Sequence, residues 1–287
     1  AVVVEVNSET DFVAKNAIFQ EFVQAVADKA LTVDTEKAGD GEDVVSILDM
    51  KADLDDKILK IGEKISIRRF EKVTADVVAS YIHGGGRIGV LVAGNGASDD
   101  AAKEALTNIA MQIAAMNPQY ISRDEISADE LAKMKEITID SALNDPFSLP
   151  KPVLSKLIEK AVAGVWSAED VAIYEEKKSN MNFLPNFLSK EAKAQLAEIA
   201  CADKEEISGN KIFSGLVEGR ISKQMKEICL LDQVYVKAED GKQTVAAYLK
   251  SVNPALKIAK FVRFEVGEGM EKKNEDFAAE VAKQMNV

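Results

Sequence analysis

The run His83-Gly84-Gly85-Gly86-Arg87-Ile88-Gly89 sets an imidazole and a guanidinium on either side of three glycines, the ingredients of a general base beside an anion-binding group. Formally it contains GxGxxG. A dinucleotide loop, however, follows a strand and opens a helix so that phosphate meets backbone amides, and this run precedes a strand-like segment. A tight turn fits better. "VLVAGNGASDD" (90–100) has the strand-to-helix setting, but Asp99 and Asp100 put negative charge where phosphate would sit, and that charge suits a helix dipole instead. His83 is the only histidine, so sites built on several imidazoles are excluded by count. No nucleophile stands at a recognisable spacing from it, which makes it a turn or contact residue before a catalytic one. The 48 acidic residues identify no acid–base pair. Cys201 and Cys229 lack CxxC spacing and read as buried thiols rather than a disulfide framework. No catalytic, cofactor-binding or metal-ligating set emerges. An α+β enzyme using His83 and Arg87 remains the rival reading, and a dimeric scaffold a third.

A second group is of another kind. In "NSETDFVAKNAIF" (7–19) an acid and a large aromatic, Asp11-Phe12, stand where a strand pattern gives way to a helical one. On local rules Asp11 or Thr10 caps the helix and Phe12 tucks under it as a hydrophobic staple. The alternative is an exposed aromatic of the kind that anchors a protein interface, since the stretch is more apolar than a cap requires.

These residues need elements to hold them. Residues 1–6 alternate as a strand, and 16–31 carry Phe19, Phe22, Val23, Val26 and Ala30 on one helical face. A polar loop, "TVDTEKAGDGED", leads to one helical stretch ending near Lys60, with Ile47, Leu48, Leu54, Ile58 and Leu59, and then to the strand "KISIRRFEKV" (64–73). The order repeats with the strand "RIGVLVAGNG" and a helix capped by Ser98 and stopped at Asn117-Pro118. The strand "KIAKFVRFEVGEG" arrives only at 257–269, and a last helix with Phe277, Val281 and Met285 follows it. The intervening residues are helical by local signals, including a capping box at Ser127–Glu130 and Pro152 opening a segment. The expected fold is α+β: two related subdomains with small antiparallel sheets and flanking helices, and a long helical insertion in the second. Its boundaries are 1–75, then 76–120 with 230–287, and 121–229 for the insertion. Stripes on so long a helical excursion bury against one another or against a second copy of the chain.

Across 287 residues, 47% apolar, the chain can bury one large core or two smaller ones. A net charge of −12 argues against a nucleic-acid partner. The longest apolar runs fall far short of the roughly 20 residues that a membrane helix needs. A soluble, intracellular protein is expected. It opens in mid-strand, as a fragment would.

Several blocks, in order along nearly the whole chain, resemble the elongation factor Ts family: "TDFVAKN" (10–16), "IGEKISIRR" (61–69), "HGGGRIGVLVA" (83–93), "LVEGRISK" (216–223), and "FVRFEVGEG" with "DFAAEVA" (261–282). The resemblance implies a guanine-nucleotide exchange factor that promotes GDP release from elongation factor Tu in the cytoplasm. It would act by contact, without a cofactor and without covalent chemistry. Asp11 and Phe12 match the dipeptide that intrudes near the partner's magnesium site, Ile61 and Gly62 a second contact with the nucleotide domain, and His83 a contact from the second subdomain. Val236 matches an apolar contact position, whereas its neighbour Lys237 departs from the pattern. The family's N-terminal three-helix domain has no match in this chain. The insertion exceeds the family's helical hairpin, used for self-association in some members, by the stretch 143–208.

Overall fold

The computed structural model describes residues 1–39 and 41–270; the expected helix over Phe277, Val281 and Met285 lies outside them. The N-terminal valines form β1 (Val2–Asn7), followed by a single turn of helix, α1 (Asp11–Ala14), and by α2 (Ala17–Thr32). β2 (Lys37–Ala38) is a two-residue edge strand. The single helix expected before Lys60 is two, α3 (Val44–Ile47) and α4 (Lys51–Ile61). Asp49 between them takes a left-handed conformation, φ 50°, and this break lets Leu48 and Met50 enter the core. β3 (Ser66–Lys72) completes an antiparallel sheet of order β1-β3-β2. Phe22 and Val26 of α2, Leu48, and Phe70 of β3 form its packed face; full burial of a side chain of this size contributes about 1.5–3 kcal/mol.

β4 (Val77–His83) went unexpected, because Ala79, Ser80 and His83 dilute its apolar alternation. It pairs antiparallel with β5 (Ile88–Asn95), His83 opposite Ile88 across the glycine turn. α5 (Asp100–Met116) covers this second sheet. Its cap is Asp99 rather than Ser98: the Asp99 carboxylate accepts from the Ala102 amide at 2.7 Å, a stronger acceptor than a hydroxyl. Asn117, φ 46°, ends the helix in left-handed conformation.

The chain next forms a unit of its own, Pro118–Val234. Its main helices are α6 (Ala128–Asn144), α7 (Lys151–Gly164), α8 (Ala168–Lys177), α9 (Lys190–Ala202), the short α10 (Lys204–Ser208) and α11 (Lys211–Ile228). The capping box at Ser127 and Glu130 is formed, and Pro152 lies in the first turn of α7. Leu143, Leu157, Ile158, Leu184, Leu196 and Phe213 anchor a core contained within this unit. Cys229 is buried as expected, but Cys201 is exposed. The apolar stripe of α9 runs through Ala192, Leu196 and Ala200, and Cys201 is one residue off it.

α12 (Val245–Val252) and β6 (Lys257–Glu265) return to the first unit, Ala1–Asn117 with the described residues from Tyr235 on. β6 is shorter than expected because Gly267, φ 79°, and Gly269, φ 74°, turn the chain. It pairs with β5, giving a second antiparallel sheet of order β4-β5-β6. The two sheets share a small core of Val3, Leu91, Ala93 and Val262. Buried Glu5 adds a polar junction, accepting from Arg68, from Arg69 at 2.5 Å and from the Gly267 amide at 3.1 Å. No helix among the described residues is long and apolar enough to cross a membrane.

Candidate functional site

Thr10 caps α1. Its backbone is extended, and its hydroxyl accepts from the Val13 amide at 3.4 Å and donates to Glu63 Oε1 at 2.7 Å. The Thr10 amide donates to Glu63 Oε2 at 3.1 Å, and the Lys64 amide donates back to Glu9 Oε2 at 3.3 Å. Two loops more than fifty residues apart in sequence are thereby clamped side by side. One carries Asp11-Phe12; the other is the end of α4, where Ile61 is followed by Gly62 at φ 82°, whose amide donates to the Ile58 carbonyl at 2.8 Å. That left-handed C-cap favours glycine over any residue with a Cβ.

The staple reading fails for Phe12. α1 is one turn long and seats only Val13 in the core, leaving the Phe12 side chain outside it, 87% exposed. Asp11, in the first turn, pairs with Arg87 at 3.3 Å, which ties this corner to the β4–β5 hairpin. The hairpin turn uses Gly84, Gly85 and Gly86 at φ 62°, 67° and 98°. His83 stands on the other arm, exposed, its Nδ1 3.0 Å from the Tyr81 hydroxyl. His83 and Arg87 therefore face different partners, Tyr81 and Asp11, and among the described residues the hydroxyl beside the imidazole is the phenol of Tyr81 rather than a serine, threonine or cysteine. Nor do the described residues contain a group of three or more His, Cys, Asp or Glu able to hold a metal ion.

Val236 is held separately. Its amide donates to the buried Gln112 Oε1 of α5 at 2.7 Å, which leaves the valyl side chain half exposed, and Lys237 Nζ reaches Asn108 Oδ1 at 2.7 Å. The first unit thus brings Asp11, Phe12, Ile61 and Gly62 together, connects them through Arg87 to the hairpin that bears His83, and carries Val236 on another element. Sequence reasoning missed Glu63 and Arg87 as the fasteners of this site. It also counted Leu59 among the apolar residues that mark this helical stretch without separating it from the packed stripe, and that side chain is 85% exposed. The signal was present, since Leu54, Ile58 and Ile61 define the stripe at helical spacing and Leu59 falls off it.

Against known proteins, the family model described as "Elongation factor TS" matches residues 9–268. The elongation factor Ts of Clostridioides difficile (strain 630) is 39% identical over 291 residues, spanning 99% of this chain and 76% of the relative. That of Clostridium novyi (strain NT) is 35% identical over 301 residues, spanning 100% and 76%. That of Halothermothrix orenii is 35% identical over 290 residues, spanning 99% and 75%. The chain belongs to the elongation factor Ts family. As an elongation factor Ts it is a nucleotide exchange factor for elongation factor Tu in translation elongation, acting by protein contact rather than by covalent chemistry. The family match spans both the Asp11-Phe12 corner and the hairpin.

Proposed function

We propose that the corner formed by Asp11, Phe12, Ile61 and Gly62, with His83 on the neighbouring hairpin, meets the nucleotide domain of elongation factor Tu close to its magnesium site. Phe12 wedges into that domain, and Asp11 enters beside the metal, so that its ligands and the phosphate loop shift and GDP escapes. Val236 is a further apolar contact on a different part of the partner. The observation that carries this reading is Phe12 itself, a large aromatic held 87% exposed at a corner fastened by hydrogen bonds. Exposed single aromatics are unremarkable on their own, but one on a fixed mount beside a glycine cap and an acid suits an interface anchor.

Magnitudes require the work to be shared. A thousandfold acceleration of release needs about 4 kcal/mol of preference for the releasing transition state, whereas burying one Phe supplies about 1.5–3 kcal/mol before ordering costs. The broad surface must bind the open partner better than the nucleotide-loaded one, because equal affinity for both shifts nothing. Phe12 directs that difference to the metal.

The test is release of fluorescent GDP from loaded elongation factor Tu. The intact chain should accelerate it, and Phe12→Ala or Asp11→Ala should lower the acceleration by tenfold or more, about 1.4 kcal/mol. Equal acceleration by both variants would refute this reading of the site. The same reading assigns the protein to the cytoplasm, with neither nucleic acid nor membrane as partner, in keeping with its net charge of −12. It takes the helical unit as a self-association surface, supported by exposed Leu131, Ile137 and Ile212.

A further inference from the structure

We infer that Arg87 is a positioning residue of the exchange surface, holding the Asp11 carboxylate so that Asp11-Phe12 meets the partner already oriented; this rests on the exchange surface proposed above. Two polar tethers hold this corner. Glu63 fixes Thr10 by its amide and its hydroxyl, which sets the backbone. Arg87 holds the side chain of Asp11 at 3.3 Å. Phe12, next in the chain after the two tethered residues, has no core packing of its own. Arg87 itself is well mounted: the glycine turn precedes it, its carbonyl accepts from the Val266 amide at 2.9 Å, and the next residue, Ile88, is in ladder register with both His83 and Glu265. The guanidinium therefore projects from a strand end paired on both sides. Such a mount can orient a carboxylate on a neighbouring element.

The pair is open to water, with Arg87 71% and Asp11 76% exposed as side chains, so it adds little to the fold and is sensitive to salt. An exposed pair of this kind is worth up to about fivefold in an equilibrium. The effect on exchange should be of that size, since the pair restricts the directions in which the dipeptide points and reduces the ordering cost on contact.

The experiment is a double-mutant cycle on the full chain, following release of fluorescent GDP from elongation factor Tu. Arg87→Ala should lower the second-order rate of stimulated release about two- to fivefold at low salt, with the difference closing in ~0.5 M NaCl. In an Asp11→Ala background Arg87→Ala should have no further effect, and Arg87→Lys should recover part of the loss because it keeps the charge. Melting temperatures should match. Independent, multiplying losses would show that Arg87 touches the partner directly and overturn the proposal, as would a melting-temperature loss that Arg87→Lys does not recover. If Arg87→Ala is silent while Phe12→Ala slows release, the proposal fails and the exchange surface stands. If Phe12→Ala is silent as well, both fail.

Discussion

Glu5 shows how one residue holds a site it does not touch. It is 3% exposed, and its carboxylate accepts from Arg68, Arg69, Asn7 and the Gly267 amide, which joins β1, β3 and the turn after β6. Arg69 also stacks its guanidinium 4.1 Å over the Phe264 ring. Burial pushes the Glu5 carboxyl up, but the hydrogen bonds from Gly267, Arg68, Arg69 and Asn7 together outweigh it and hold the group below its ordinary 4.5. A carboxyl depressed in the folded state adds stability that is complete above the unfolded value and is lost as pH falls through the folded one. Urea midpoints of the native chain should therefore hold from pH 7 to about 5 and fall below about 4.5. Glu5→Gln should cost about 3 kcal/mol at neutral pH, because it leaves two arginines without their buried charge, and should flatten the acid limb. Equal acid slopes for the two proteins would remove Glu5 from this role. None of this was legible in the sequence, where Glu5 is one acid in an alternating strand. Phe12 was legible only as two alternatives, and its exposure depends on which side chain α1 turns inward, which is decided by Val13 and by the Glu63 clamp.

At the scale of elements, the strong helices and most strands could be read because burial imposes a period on them, and the weak ones could not. β4 escaped because polar and small residues break its alternation, and the α3–α4 break escaped because a left-handed Asp49 carries no distinctive local signature. Loop-to-loop fasteners are harder still, since periodicity is local whereas Thr10–Glu63 and Asp11–Arg87 pair residues far apart in sequence. Asp170 is another such fastener. Its carboxylate accepts from the Ser167 hydroxyl at 2.8 Å and from the Ser189 amide and hydroxyl, each at 2.9 Å, so that one side chain joins the N-caps of α8 and α9. The Ser189 amide, with the two hydroxyls, holds the Asp170 carboxyl below its ordinary 3.8 despite burial. Asp170→Ala leaves those donors without their acceptor and should cost about 2 kcal/mol. The single tryptophan, Trp166, is buried in this unit and donates to the Ala192 carbonyl at 2.9 Å. Its fluorescence should report the loss as a lower urea midpoint, and an unchanged midpoint would show that the serines find other acceptors.

At the scale of the molecule, the candidate surface and the helical unit fall in different parts of the chain. All six residues of the candidate surface, Asp11, Phe12, Ile61, Gly62, His83 and Val236, belong to the unit of Ala1–Asn117 with Tyr235 onward, and none to Pro118–Val234. The core around Leu143, Leu157 and Phe213 draws only on the second unit, whereas those around Phe22, Phe70 and Leu91 draw only on the first. The Val236 amide is bonded to Gln112, near the end of α5, and the four helical residues that follow it, with the cap Asn117, span about 8 Å, so a short linker can replace residues 118–234. Such an excised chain should fold with the strand content of both sheets by circular dichroism. It should still accelerate GDP release, with a loss of no more than about tenfold, equivalent to about 1.4 kcal/mol of transition-state contacts. Adding Phe12→Ala to it should reduce release by the same factor as in the full chain, since sites without shared partners act independently. A folded excised chain that leaves GDP release at its spontaneous rate would show instead that the helical unit supplies contacts on which exchange depends, and the surface around Phe12 would then be one part of a wider footprint.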